Sequence, residues 1–207
     1  MAQKLTLGYW NIRGRAQPVR YLLEYLEVPY EEKRYSTQQE WEEDYSKDPI
    51  KSHILANLPY IKDQDKWIYE SQALYIYLAH KAKKPELLGS TPDEEVSVFQ
   101  VTGVLEDFYR FLWEIPDEQT QEQKNVLFKE KVLKFVIKLN KLLQNRKWAA
   151  GDNITIVDFL LFEAEYTLKS FNQTIYEDQK NLQRHHDQFA NLPQIKVYLE
   201  SDRFIKE

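Results

Sequence analysis

Apolar and polar positions alternate near the start of the chain. Leu5, Leu7 and Tyr9 stand against Thr6 and Gly8, the pattern of a half-buried strand. The period then lengthens. Val19, Leu22, Leu23 and Leu26 follow helical spacing behind Pro18, a residue tolerated in a helix's first turn, and Pro29 closes the run. Tyr30 to Tyr35 reads as a short charged strand and Gln38 to Ser46 as a polar helix. Leu58 to Ile61 and Lys66 to Tyr69 flank Asp63-Gln64-Asp65, which has the make-up of a hairpin turn. Ser71 to Lys83 carries Ala73, Leu74, Tyr77 and Leu78 on one helical face. The predicted order is βαβα followed by ββα.

Beyond this point only helical periods remain. Asp93 to Glu114 stops at Pro116, and Gln121 to Asn145 reads as one helix with Phe128, Val132, Phe135, Val136, Leu139 and Leu142 in a single stripe. Thr155 to Lys169 follows, then shorter helices over Tyr176 to His186 and Pro193 to Ser201. The start at Thr155 is well specified. Gly151-Asp152-Asn153 makes a turn, Thr155 caps, and Asp158 is its reciprocal partner three residues on, a structural role. The pattern predicts an α+β chain: an α/β domain over residues 1–83, a linker at 84–92 containing Pro85, Gly89 and Pro92, and an all-α domain over 93–207.

Composition narrows the function. The 207 residues are 43% hydrophobic and 29% charged, a globular balance, and only five Gly and eight Pro favour helix over turn-rich sheet. A net charge of −5 with no basic run argues against a nucleic-acid partner or an anionic membrane surface. The absence of Cys excludes disulfides, thiolate zinc sites and a cysteine nucleophile. No apolar stretch approaches the ~18 residues of a membrane span, and residues 1–10 lack a signal peptide's apolar core, so a cytoplasmic protein is expected. His185 and His186 are neighbours and point apart on a helix, and His53 and His80 have no ligand-spaced partner, so no metal site is expected.

Several segments together resemble a mu-class cytosolic glutathione S-transferase. They are Leu7-Gly8-Tyr9-Trp10-Asn11-Ile12-Arg13-Gly14, Gln17-Pro18-Val19-Arg20, Leu22-Leu23-Glu24-Tyr25, Asn57-Leu58-Pro59-Tyr60, Glu70-Ser71-Gln72-Ala73, and Gly151-Asp152 with Thr155, Asp158 and Phe159. The matches are in order and span nearly the whole chain. The resemblance implies a thioredoxin-like first domain, an all-α second domain bearing the acceptor-substrate side, a homodimer, and glutathione as co-substrate with no other cofactor. It implies transfer of the glutathione thiolate to hydrophobic electrophiles. A glutathione-dependent isomerase or peroxidase acting on a lipid, and a non-catalytic ligand carrier, are the alternative readings.

Conjugation needs the thiolate. At a thiol pKa of ~8.5 only about 3% is ionised at pH 7. Tyr9 matches the family's catalytic tyrosine, whose hydroxyl donates to the sulfur, although most of the chain's 14 Tyr must be packing residues. Arg15 resembles an alpha-class arginine facing the same sulfur; a solvated surface arginine is the alternative. The resemblance places Ser71 and its neighbouring backbone N–H groups on the γ-glutamyl carboxylate, Glu70 on the ligand's amino group, and Leu58 beside a cis Pro59 on the ligand's cysteinyl amide. Trp10 and Asn57 match further ligand contacts. Trp41 with Lys47 or Lys51 is expected at the glycine carboxylate. Asp107 matches a residue that reaches glutathione in the other subunit.

Four departures from the mu-class pattern stand out. The loop between Tyr35 and Trp41 is short. The aromatic key inserted into the partner subunit is Leu55. The chain reaches Glu207 without the tail that lies over the acceptor site, and Asp117 stands where the mu class often has an acid-assisting tyrosine. A more open acceptor site is therefore expected. Ile12, Arg110, Phe111 and Trp113 are candidate lining residues, with core packing the alternative for the aromatic pair.

Overall fold

The computed structural model describes residues 4–47, 50–116 and 118–206. Strands β1 (Leu5–Trp10), β2 (Tyr30–Tyr35), β3 (Tyr60–Asp63) and β4 (Lys66–Tyr69) form one sheet in the order β2-β1-β3-β4. β1 runs parallel to β2 and antiparallel to β3, and β3 pairs antiparallel with β4. The parallel pair needs a crossover, which is α1 (Gln17–Tyr25). Helices α2 (Gln38–Tyr45) and α3 (Ser71–Lys81) complete this layer. Leu5 and Leu7 are buried on β1 with Val19, Leu22 and Leu23 of α1 and Leu74 and Leu78 of α3. Gly8 is required at mid-strand, because a Cβ there would stand 2.1 Å from the Tyr60 ring.

The remaining helices are α4 (Pro92–Trp113), α5 (Gln121–Lys131), α6 (Leu133–Leu142), α7 (Ile156–Phe171), α8 (Gln173–Glu177), α9 (Lys180–Ala190) and α10 (Pro193–Leu199). Every residue from 155 to 165 is buried, so α7 is the core helix of its unit. Three helix starts repeat one capping chemistry. The hydroxyls of Thr37, Thr91 and Thr120 accept the N–H of Glu40, Glu94 and Gln123, and those three side chains accept the N–H of Ser36, Ser90 and Thr120.

Besides Tyr176 to His186, which is not one helix but the end of α8 and the start of α9, the structure differs from the pattern-based expectation in three places. First, α1 ends at Tyr25 rather than at Pro29. Glu27 takes a left-handed φ of +52°, and the N–H groups of Glu27 and Val28 return to the carbonyls of Glu24 and Leu23. Second, the stripe over 121–145 is not one helix but α5 and α6, separated at Val132. The two pieces pack on different rings: Phe128 stacks on Phe171 at 4.8 Å, and Phe135 on Phe111 at 5.6 Å. Third, the chain divides into a unit running to Lys84 that also takes Pro193 onward, and a unit of Pro85–Leu192. The expected all-α domain over 93–207 therefore gives up its last segment. Ile195 and Tyr198 are fully buried. The Tyr198 ring meets Tyr21 of α1 edge-on at 5.9 Å, and its hydroxyl accepts from Gln17 at 3.3 Å.

Candidate active site

Tyr9 lies near the end of β1 with its ring buried. Its Oη accepts the backbone N–H of Arg15 at 3.1 Å. The approach is possible because Gly14 has φ +40° and no side chain; a Cβ there would stand 2.6 Å from the Tyr9 Oη. A phenol has one proton and two acceptor positions. One acceptor is used by Arg15, and among the described residues none accepts the proton, which is left for a bound group. The Arg15 side chain is half-buried. What it brings to Tyr9 here is its backbone N–H.

An aromatic cluster is formed by Tyr35, Trp41, Ile50, Tyr60 and Tyr69, with Trp10, Ala56, Leu58 and Trp67 packed against it. Trp41 meets Tyr35 at 5.3 Å and stacks on Tyr60 at 6.4 Å, and Trp10 meets Tyr35 edge-on. Three candidate ligand contacts, Trp10, Trp41 and Leu58, are thus brought to one hydrophobic cluster. A hydroxyl chain crosses it. Tyr60 and Tyr35 share a hydrogen bond of 3.1 Å, and Tyr35 donates to Asp44. Burial raises the Tyr60 and Tyr35 pKa and pushes Tyr69 up to about 12, so all three stay neutral at ordinary pH. For Asp44 burial works upward, but Lys33 and the Tyr35 hydroxyl prevail and hold its carboxyl below the usual range. Lys47 is exposed and sits 3.5 Å from Asp44; Lys51 is exposed in the 3-10 turn Ile50–Ser52.

The segment before β3 meets the start of α3. The Leu58–Pro59 bond is cis. Asn57 Oδ1 accepts the Leu58 N–H at 2.8 Å, and its Nδ2 donates to Glu70 Oε1 at 3.1 Å. Glu70 is exposed and holds φ +68°, ψ +121°, a strained setting for a residue with a Cβ. Ser71 is buried as the first residue of α3, where backbone N–H groups lack helical partners. Asn57, Leu58, Glu70 and Ser71 therefore form one contiguous polar group.

The other candidates lie in the Pro85–Leu192 unit or stand alone. Asp107 pairs with Arg110 at 2.7 Å. Arg110 also covers the Phe111 ring, which stacks on Phe135, so Phe111 packs within its own unit. Trp113 is exposed beside Tyr109, and Ile12 is exposed after β1. Leu55 is 72% exposed and its neighbour Ile54 is 99% exposed. Asp117 lies outside the described residues. Among those residues no group of three or more His, Asp or Glu side chains is placed to hold a metal ion, and no helix is long and apolar enough to cross a membrane.

Two features of the site were not legible in the sequence. One is the Asn57 bridge between Leu58 and Glu70. The other is Arg20, whose guanidinium lies against the carbonyls of the turn after β1. Arg20 is fully buried, donates to the carbonyls of Ile12 and Arg13, and pairs with Glu32 at 3.0 Å. Burial acts upward on Glu32, but the hydrogen bonds and charges of Arg34 and Arg20 hold its carboxyl low. The sequence marks Arg20 only as the last residue of the Gln17-Pro18-Val19-Arg20 segment and by its place among apolar neighbours on α1.

Residues 5–80 match the family model of the glutathione S-transferase N-terminal domain, and residues 103–202 that of the C-terminal domain. Similar proteins include the class-mu 26 kDa glutathione S-transferase isozyme 51 of Fasciola hepatica, 34% identical over 97% of this chain and 90% of that one. Glutathione S-transferase Mu 1 of Oryctolagus cuniculus is 32% identical over 98% of this chain and 93% of that one. Among solved structures, NaGST-2 is 25% identical with a TM-score of 0.81, covering 99% of each chain. The rat hPGDS complexed with a quinoline has the same fold at 22% identity and a TM-score of 0.81, covering 99% of this chain and 100% of that one. With both domain models matched in order and mu-class relatives aligned over nearly its full length, this chain belongs to the glutathione S-transferase family.

Proposed function

We propose that this protein conjugates the glutathione thiolate to electrophilic small molecules, with Tyr9 as the donor to the sulfur. The observation that carries the reading is the Tyr9 hydroxyl itself. Its oxygen is engaged by the Arg15 N–H, so its proton is directed to whatever binds beside it. Lowering a thiol pKa from ~8.5 by two units corresponds to about 2.7 kcal/mol of differential stabilisation and leaves most of the thiol ionised at pH 7. A guanidinium at Arg15 adds to this if it faces the sulfur.

The rest of the ligand follows from the groups around it. Ser71 and the first N–H groups of α3 take the γ-glutamyl carboxylate, as an anion at a helix N-terminus. Glu70, oriented by Asn57, takes the amino group. Leu58 exchanges its Asn57 partner for the cysteinyl amide. Trp10 and Trp41 provide the wall, and Lys47, kept near the aromatic cluster by Asp44, takes the glycine carboxylate. Asp107 acts across a homodimer, on glutathione held by the partner subunit. Of the acceptor-side candidates, Arg110 and Trp113 are exposed on α4 and Ile12 is exposed after β1, while Phe111 packs against Phe135. The cytoplasm is the compartment that the mu-class relatives suggest.

The test is a pH titration of bound glutathione by its thiolate absorbance. Wild type should give a pKa well below that of free glutathione. Tyr9→Phe should return it toward the free value and lower kcat/KM at pH 7 by about 10–100-fold. Arg15→Leu should raise it further only if the guanidinium faces the sulfur. A wild type that binds glutathione with no lowered pKa would sink the proposal and favour a carrier.

A further inference from the structure

Arg13 is three residues beyond β1 and enters no step above. Its Nη1 donates to the Ile205 carbonyl at 2.7 Å, and its Nη2 to the Tyr21 hydroxyl at 2.9 Å. The guanidinium also lies 4.8 Å from the centroid of the Phe204 ring. These anchors are firm: Tyr21 is fully buried in α1, and Phe204 is buried edge-on against Tyr198. The Arg13 carbonyl in turn accepts the N–H of Gln17 and an N–H of Arg20. The next two residues are Gly14, at φ +40°, and Arg15, whose N–H reaches Tyr9. The turn that supplies this N–H is thus held through the Arg13 side chain on one side and its carbonyl on the other.

We propose that Arg13 is a positioning residue for the thiolate site. By tying the C-terminal Phe204–Ile205 segment and Tyr21 together, it holds the 13–15 turn where the Arg15 N–H meets the Tyr9 oxygen. The inference rests on the reading of Tyr9 as thiolate donor. The physical link is the phenolic rotor. An N–H donated to Oη fixes which way the hydroxyl proton points and polarises the O–H, making it a better donor to an anion. That hydrogen bond measures 3.1 Å, near the upper end of the favourable range, so a displacement of half an ångström removes it. The C-terminal segment acts on the chemistry in this way without touching a reactant.

The experiment measures bound-thiolate pKa and glutathione KM in wild type, Arg13→Ala, Arg13→Lys, Tyr9→Phe, Tyr9→Phe/Arg13→Ala, and a chain stopped after Arg203. Each is assayed at a temperature where its circular dichroism is native. Arg13→Ala should raise the pKa by about half a unit or more, which takes the ionised fraction at pH 7 from about three-quarters to about a half and lowers kcat/KM there about 1.5-fold, with KM for glutathione unchanged. The shortened chain should reproduce that shift. Arg13→Lys, which keeps the charge but cannot fork to both acceptors, should fall between. In the Tyr9→Phe background the Arg13 change should add nothing, because Arg13 acts only through the hydroxyl. A wild-type pKa in Arg13→Ala and the shortened chain overturns the inference and leaves the Tyr9 reading intact. So does a full-sized Arg13 effect on top of Tyr9→Phe. No lowered pKa in wild type overturns both.

Discussion

At the residue scale, the buried His185 has the most to lose. Its Nδ1 is 2.9 Å from Glu165 and its Nε2 3.1 Å from Asp158, and all three side chains are buried. A ring with a carboxylate at each nitrogen needs both nitrogens as donors, which is the cation. Burial alone would lower its pKa, but Glu165 and Asp158 overcome this and push it up to about 10. A folded pKa above the unfolded ~6.5 contributes stability in full below pH 6.5, and that contribution drains away as pH rises toward 10. Asp158 also accepts the N–H of Ala149 and of Thr155, so the same cluster holds the start of α7. His185→Gln leaves buried carboxylate charge without its cation and should cost about 3–5 kcal/mol in urea unfolding at pH 7. It should also remove much of the decline in stability between pH 7 and 9.5. A variant as stable as wild type, with the same alkaline decline, would rule the charged cluster out.

At the scale of elements, the turn after β1 decides the site's geometry. Gly14→Ala brings two penalties in one direction: a side chain at φ +40° and a Cβ 2.6 Å from the Tyr9 Oη. The expected result is a stability loss of about 1–3 kcal/mol and a fall in kcat/KM of tenfold or more, since the phenol or the Arg15 N–H must move. Gly103, exposed in α4 with nothing within 4 Å of a Cβ, is the control. Gly103→Ala should gain up to about 1 kcal/mol from helix propensity alone. Unchanged activity in Gly14→Ala would show that the turn does not set the hydroxyl. Glu70, Glu27 and Lys83 also hold positive φ. The latter two follow α1 and α3 in return turns that need no particular side chain, so their left-handed backbone left no mark in the composition.

At the scale of the whole molecule, the exposed pair Ile54 and Leu55 bears on assembly. Two adjacent aliphatic side chains this exposed on one loop are the candidate apolar key of the proposed homodimer. Leu is smaller than the aromatic that the mu-class resemblance expects, so the dimer should be weaker than an aromatic key allows. Leu55→Asp should shift sedimentation velocity from dimer toward monomer at micromolar concentration without changing the thermal melt of the fold. A dimer of undiminished strength would remove Leu55 from the interface.

Much of this protein follows from the sequence alone. Alternation located β1, the hairpin turn at Asp63-Gln64-Asp65 located β3 and β4, and period-3.6 patterns located the main helices, because each element must bury one face. The reciprocal pair Thr155 and Asp158 marked a helix start, because capping is local and needs residues three apart. The motifs around Tyr9, Pro59 and Ser71 identified the family on their order and spacing. What only the tertiary structure decided are relations between residues distant in the chain. The break at Val132 has no proline or glycine to announce it; it comes from packing on two different rings. Residues 193–207 join the first unit because Tyr198 and Phe204 find their partners there. His185 becomes a charged core residue because α9 packs beside α7 and presents its ring to Asp158 and Glu165. Arg13 grips Ile205, 192 positions away. Local pattern specifies which face of an element is buried; only three-dimensional packing specifies against what, and that pairing sets charge, geometry and reach.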